Sequence, residues 1–288
     1  MKTRKILVAA LSMALMFLPS KAASNSSIQY TKADSIKAMK IIDEAKRQPK
    51  GTNLVIYIAR RLKAIPYVAK TLDKNKDERL VVNLRQLDCT TYVENVLAMY
   101  LCAKSKKPSF NAFCAYLRKI RYKKGQVSYV NRLHYFTSWI EENTRNGFVK
   151  ETQSPVPPFT ATQTVNINYM SKHPDKYPAL IARPQLRPKI AEMEKAVSGS
   201  KYKYIPKGSI ANNKLFRATI HNGDIIAIVT KKNGLDTSHI GLAVWHKDGL
   251  HLLNASLVRK RVVEEKMTLY TYMQKNKSQT GIRIIRIK

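Results

Sequence analysis

The chain has 288 residues, with 52 Lys and Arg against 19 Asp and Glu, giving a net charge of +33 and a pI near 10.1. Carboxylates are scarce and neither HxxxH nor CxxC occurs, so the spacing of a zinc site is missing, and so is a phosphate-binding glycine loop. Without a Gly/Ser linker, internal repeat or low-complexity tract, the length fits one large domain or two small ones.

The first element is a predicted secretory signal. Met1-Lys2-Thr3-Arg4-Lys5 is basic, Ile6 to Leu18 is apolar, and Ser20-Lys21-Ala22 supplies small residues two apart, which predicts cleavage after Ala22. The apolar run is short for a membrane span, and no later segment approaches its length. This predicts an exported, periplasmic or envelope-associated chain of residues 23–288. Removing the four basic residues of the signal lowers the charge from +33 to +29. That field would hold the protein near polyanions; export points to anionic envelope polymers or lipid headgroups and argues against nucleic acid. Solubility alone is the plainer reading of the same charge.

The first half reads as helices. Ser35 to Ala45 and Asn53 to Leu62 carry apolar residues at helical spacing, and from Val93 the apolar positions 93, 96, 97, 100 and 101 define one helix face. Asp88 is placed as the N-cap of that third helix. Phe110 to Ile120 and Tyr135 to Ile140 predict two more. The charged stretch 73–78 reads as a loop, followed by a short strand at Leu80-Val81-Val82. Cys102 and Cys114 fall on consecutive helices, either bridged or as two buried thiols, which leaves Cys89 as the odd cysteine.

A proline-rich stretch at about 153–205, broken by a helix from Pro188 to Val197, reads as an excursion from a single domain. It either wraps the core and walls a cleft or hangs as a tether. Short β-branched runs follow at Asp224–Thr230, Ile240–Trp245, Leu250–Ala255, Arg261–Glu265 and Ile282–Ile287. Helices first and an antiparallel meander afterwards predict an α+β fold, with N-terminal helices packed on a C-terminal antiparallel sheet.

Two weak signals gain weight together. Cys89 directly follows the cap Asp88, where unpaired backbone N–H groups favour a thiolate and can bring its pKa from about 8.5 to between roughly 3.5 and 7.5. His239 opens the strand that turns at His246-Lys247-Asp248-Gly249 into the next one. If that turn has an even number of residues, Asn254 shares the face of His239 and can orient its ring, while an odd number would favour His251. Taken singly, a cysteine on an amphipathic helix is most often a core residue.

The segments Ile65-Pro66-Tyr67-Val68, Leu87-Asp88-Cys89-Thr90-Thr91-Tyr92-Val93, Gly223-Asp224-Ile225-Ile226, His239-Ile240-Gly241 and Asn254-Ala255-Ser256 resemble the NlpC/P60 superfamily of cell-wall cysteine hydrolases. Together with Asn131-Arg132-Leu133-His134-Tyr135-Phe136 and Trp139-Ile140, they resemble most its N-acetylmuramoyl-L-alanine amidase-like branch, the DUF1460 family. The resemblance implies a papain-like fold with Cys89 as nucleophile, His239 as base and Asn254 as the third polar residue, where histidine is common in relatives. It sets Tyr67 near the thiol and Asp88 where relatives contact a substrate amine. His134 and Tyr135, beside Arg132, either line a substrate groove or form a packed aromatic pair with a solvated histidine.

The expected activity is thiol acyl transfer on a peptidoglycan amide, with no metal or organic cofactor. The resemblance favours the N-acetylmuramoyl–L-alanine bond. The alternatives are the D-glutamyl–diaminopimelate bond and a non-catalytic basic protein that binds the envelope.

Overall fold

The computed structural model describes residues 28–288, so the signal segment lies outside the described residues. Helix α1 (Lys32–Lys46) starts at a capping box between Thr31 and Asp34, and α2 (Leu54–Arg61) starts at Asn53, whose side chain accepts from the N–H of Ile56. The third helix, α3 (Cys89–Lys104), runs through the middle of the helical layer. Tyr92 to Met99 are all buried, so this helix is covered nearly all round and not along the one stripe its spacing predicts. Helices α4 (Phe110–Arg121) and α5 (Phe136–Arg145) complete the layer.

Burying α3 on every side encloses Glu94 as well. Its Oε2 accepts from Nε of Arg121 at 2.7 Å, and Nη1 of Arg121 donates to the carbonyl of Val81 at 2.7 Å. Val81 belongs to the stretch predicted as a strand. Among the described residues the stretch instead makes one parallel bridge, with Gln29.

The remaining strands are β1 (Val149–Thr152), β2 (Ala161–Thr164), β3 (Lys201–Pro206), β4 (Ile225–Thr230), β5 (Thr237–Trp245), β6 (Leu250–Ser256), β7 (Arg261–Glu264) and β8 (Gln279–Ile287). They form one sheet in the order β2-β3-β8-β4-β5-β6-β7, with β1 also paired to β8, and every ladder is antiparallel. Only β4 to β7 run as a meander. The last strand returns to lie between β4 and the β3/β1 edge, so the expected simple meander is corrected here.

The sheet is apolar on both faces. Ile225 and Ala227 join the helical core, while Ile226 and Ile228 join a second cluster with Phe159, Phe216, Leu252 and Ile284. This second face explains why β4 is buried throughout.

The proline-rich excursion contains α6 (Tyr169–Lys172), α7 (Pro178–Ala182) and α8 (Arg187–Val197) besides β2 and β3. It packs a small core of its own, Val165, Ile167, Met170, Leu180 and Ile190, against Tyr129 and Tyr135. It is a packed wall and not a tether. Two short helices, α9 (Lys214–Thr219) and α10 (Leu269–Gln274), flank the strands. None of the described helices is long and apolar enough to cross a membrane.

Candidate active site

Cys89 is the first residue of α3 because Asp88 stops the helix from beginning earlier. The Asp88 Oδ1 accepts the Thr91 N–H at 2.8 Å, and the Asp88 N–H donates to Thr91 Oγ1 at 2.9 Å, a reciprocal box that fixes the helix entry. Among the described residues the N–H of Cys89 has no hydrogen-bond acceptor, as expected of a first-turn amide.

The turn between β5 and β6 is four residues long, closed by the His246 N–H donating to the Gly249 carbonyl at 2.8 Å. Its even count selects Asn254. The register pairs Leu242 with Leu253, which puts Asn254 one step further on, across from Gly241 and diagonal to His239 on the same face. The His239 Nε2 lies 2.9 Å from the Asn254 Oδ1. An amide oxygen only accepts, so Nε2 carries the proton and Nδ1 is the basic nitrogen of the neutral ring. His251 projects from the other face, with Nδ1 2.9 Å from the Glu265 carbonyl.

Cys89 and His239 line one cleft of about 200 Å³, whose polar lining includes Thr90, His134, Asp236, Thr237 and Ser238. Met170 and Tyr177 of the excursion close one side. The backbone N–H of Ile240, the residue after His239, is directed at the Cys89 sulfur. The sulfur and the imidazole, 150 positions apart in sequence, therefore share a wall of the cleft.

The electrostatics differ from the sequence expectation. Burial pushes the Cys89 thiol up to about 12, the Asp88 carboxylate adds to the rise, and the N–H groups of Ile240 and Thr90 offset only part of it. Desolvation outweighs the hydrogen-bond donors that favour the anion. Burial also lowers His239, against the Asn254 hydrogen bond and the more distant Glu265 and Asp88 charges, which raise it. Both shifts favour the uncharged forms, thiol and neutral imidazole, in the absence of substrate.

The other predicted positions fall around this pair. Tyr67 runs beside Leu87 in a parallel bridge, and burial, followed by the nearby Cys89 and Asp88 charges, raises its phenol. It packs beside the thiol without lining the cleft. Asp88 spends Oδ1 on the cap, and among the described residues its Oδ2 accepts no hydrogen bond. His134 lines the cleft and is half-buried. Its Nε2 is 2.7 Å from the Tyr129 carbonyl, and burial, with Arg132 adding, lowers its pKa to about 3. Arg132 itself turns away, bonding Glu78 at 2.6 Å and Asp73 at 2.6 Å. Cys102 and Cys114 are both free and buried.

Asp236 escaped the sequence reading. It is 2% exposed, and its two oxygens accept from the N–H groups of Thr137 at 2.6 Å and Thr237 at 2.7 Å, tying the start of α5 to the start of β5. Its only sequence signal was its place three residues before His239.

A family model described as N-acetylmuramoyl-L-alanine amidase-like matches residues 57–282. Among solved structures, an N-acetylmuramoyl-L-alanine amidase from Bacteroides uniformis is 36% identical, with a TM-score of 0.74, covering 80% of this chain and 97% of that one. A Bacteroides fragilis protein assigned provisionally as a xylanase is 37% identical, also with a TM-score of 0.74, over 80% of this chain and 99% of that one. A Legionella pneumophila protein assigned to DUF1460 shares the fold at 22% identity, with a TM-score of 0.65 over 88% of this chain and 94% of that one. No curated protein matches. The agreement of the family model over most of the chain with relatives above one-third identity means that this chain belongs to the N-acetylmuramoyl-L-alanine amidase-like family.

Proposed function

We propose that this protein is an exported, cysteine-dependent peptidoglycan hydrolase working by the papain-like mechanism of the NlpC/P60 superfamily. The observation that carries the reading is the shared cleft: Cys89 heads a helix on its wall, and His239, hydrogen-bonded to Asn254, lines the same cleft. Binding of an amide substrate brings a carbonyl to Cys89. His239 Nδ1 takes the thiol proton as sulfur attacks, then gives it to the leaving amine. The unbonded N–H of Cys89 is available to the developing oxyanion. Water, deprotonated by the same imidazole, then hydrolyses the thioester and frees the thiol. Asp88, with Oδ2 unused, and His134, whose unbonded Nδ1 is an acceptor in a neutral ring, are assigned to substrate positioning.

The bond between the lactyl group of N-acetylmuramic acid and L-alanine is the favoured target, in line with the family description and the Bacteroides uniformis relative. A glycosidase mechanism is disfavoured, because it needs two facing carboxylates and, among the described residues, Asp236 is the only carboxylate lining this cleft. The positive charge supports adsorption to anionic envelope polymers, with residues 1–22 as the export signal.

Digestion of defined muropeptides, read by mass spectrometry, tests the assignment. Release of the intact stem peptide from the sugar supports the amidase, and cleavage within the stem transfers the assignment to the D-glutamyl–diaminopimelate bond. Turnover that survives in Cys89→Ser overturns the mechanism.

A further inference from the structure

At the far end of the same hairpin, roughly 20 Å along β5 from His239 by strand rise, three ligating side chains converge. One nitrogen or oxygen from each of His246, Asp248 and His251 lies within 4.8 Å of the other two. Sequence spacing hid this group, because His-x-Asp-x-x-His is brought together by the four-residue turn and not by a helix.

The hydrogen bonds around the group orient it. His251 is buried, and its Nδ1 is 2.9 Å from the Glu265 carbonyl, which can only accept. Nδ1 is therefore the protonated nitrogen of the neutral ring, and the lone pair of Nε2 points at the Asp248 Oδ1, 3.0 Å away. At that separation the two lone pairs must share either a proton or a metal ion. The His246 Nε2 is 2.8 Å from Oε1 of Glu264, which Arg60 clamps through 3.0 and 2.9 Å bonds. Donation from Nε2 leaves the other nitrogen of His246 with a lone pair too. Each imidazole thus has one N–H anchored by an outer acceptor, the arrangement that orients histidines on metals.

A proton would satisfy only the His251–Asp248 pair. Protonating both imidazoles would set two cations against each other with ring centroids 4.3 Å apart. A single metal ion answers all three lone pairs.

We propose that His246, Asp248 and His251 bind one divalent transition-metal ion of the zinc class at the β5–β6 turn. Two imidazoles and a carboxylate suit that ion, and a fourth position stays open to solvent. The side chains of His246 and Asp248 are 41% and 62% exposed and free to close the remaining gap, while His251 is held by its surroundings. The ion would pin the turn that joins the strands carrying His239 and Asn254, a structural role separate from the cleft.

The test uses the full chain carrying Cys89→Ser, so that the cleft thiol cannot take metal, stripped with chelator and titrated with Zn²⁺ alone. The expected result is one Zn²⁺ per chain by native mass spectrometry and a melting temperature that rises with Zn²⁺. His246→Ala and Asp248→Asn, at exposed positions where the fold survives, should each weaken binding by about 10-fold or more, the least that losing a ligand should cost. Their combination should abolish stoichiometric binding, with circular dichroism unchanged. A folded chain that takes no Zn²⁺ overturns the proposal, as does binding that is unchanged in the combined variant.

Discussion

The Nε2 of His239 reaches the Oδ1 of Asn254 at 2.9 Å along a diagonal of the β5–β6 ladder, over Gly241. A side chain at 241 would stand in that path, since its Cβ would lie 2.9 Å from the Asn254 Cβ and 2.8 Å from the Leu252 Cδ1. Gly241→Ala should therefore displace Asn254 and lower kcat by about 10- to 100-fold, as small misplacements of a catalytic group do, with a stability loss of about 1–3 kcal/mol from overpacking. Comparison of kcat with Tm checks it: a fall in Tm with kcat intact would mean that the diagonal contact is dispensable.

Removing the orienting amide should cost less than removing the base. His239→Ala is expected to lower kcat/KM by about 10³-fold or more and Asn254→Ala by about 10- to 100-fold, because general-base catalysis contributes about 10²- to 10⁴-fold and orientation only part of it. Asn254→His, the residue the family resemblance associates with this position, should recover most of the loss. Wild-type rates for Asn254→Ala would exclude it from the triad.

The raised thiol pKa makes a prediction about reactivity without substrate. With Cys89 pushed up to about 12, iodoacetamide should label the native enzyme slowly at neutral pH, and the rate should climb steadily across the alkaline range. A labelling rate already at its plateau near pH 7 would point to a standing thiolate–imidazolium pair.

Acid should act through the histidines. A base must be neutral, and His239 lies below the ordinary 6.5, so kcat/KM should hold as pH falls through 6.5 and decline only beneath it. Stability follows the same sign. His134 is lowered from 6.5 to about 3, so between those values the unfolded chain binds a proton that the folded chain refuses. Its contribution is complete above pH 6.5 and is lost as pH falls towards 3. Thermal melts of wild type and His134→Asn across that window should show a shallower pH dependence in the variant.

The Glu94–Arg121 pair, which joins α3 to α4, should behave as a buried ion pair. Arg121→Met leaves an uncompensated carboxylate and should cost about 3–5 kcal/mol, while Glu94→Leu combined with Arg121→Met should recover most of it. Denaturant unfolding of the three chains measures the difference. Equal stabilities for single and double variants would remove this role.

Much of this was legible in the residues, for identifiable reasons. The cap at Asp88 and the spacing after it locate α3, and hydrogen bonding within the first turn makes that signal local. Strict alternation of side chains along a strand narrowed the partner of His239 to Asn254 or His251, and the four-residue turn of the structure selects Asn254. Long-range facts were not legible. Nothing in the Leu80–Val82 run tells that it makes a single bridge among the described residues, and nothing near Ile282 tells that β8 inserts beside β4. The thiol's pKa was misjudged for the same reason: the helix N-terminus is written in sequence, whereas the desolvation that raises the thiol depends on what the fold stacks above Cys89. Asp236 was missed because its partners, Thr137 and Thr237, are 100 positions apart.

The placement of β8 has a consequence for how the molecule is made. The strand that comes last in chain order is a central plank, bonded to β4 on one edge and to β3 and β1 on the other. A growing chain that has exposed everything up to α10 still has two sheet halves with open edges. Thiol, imidazole and amide are all present by then, yet the half-sheet that carries the imidazole and amide has no partner on its β4 side. Catalytic competence should therefore arrive late and abruptly, with the final strand closing the seam.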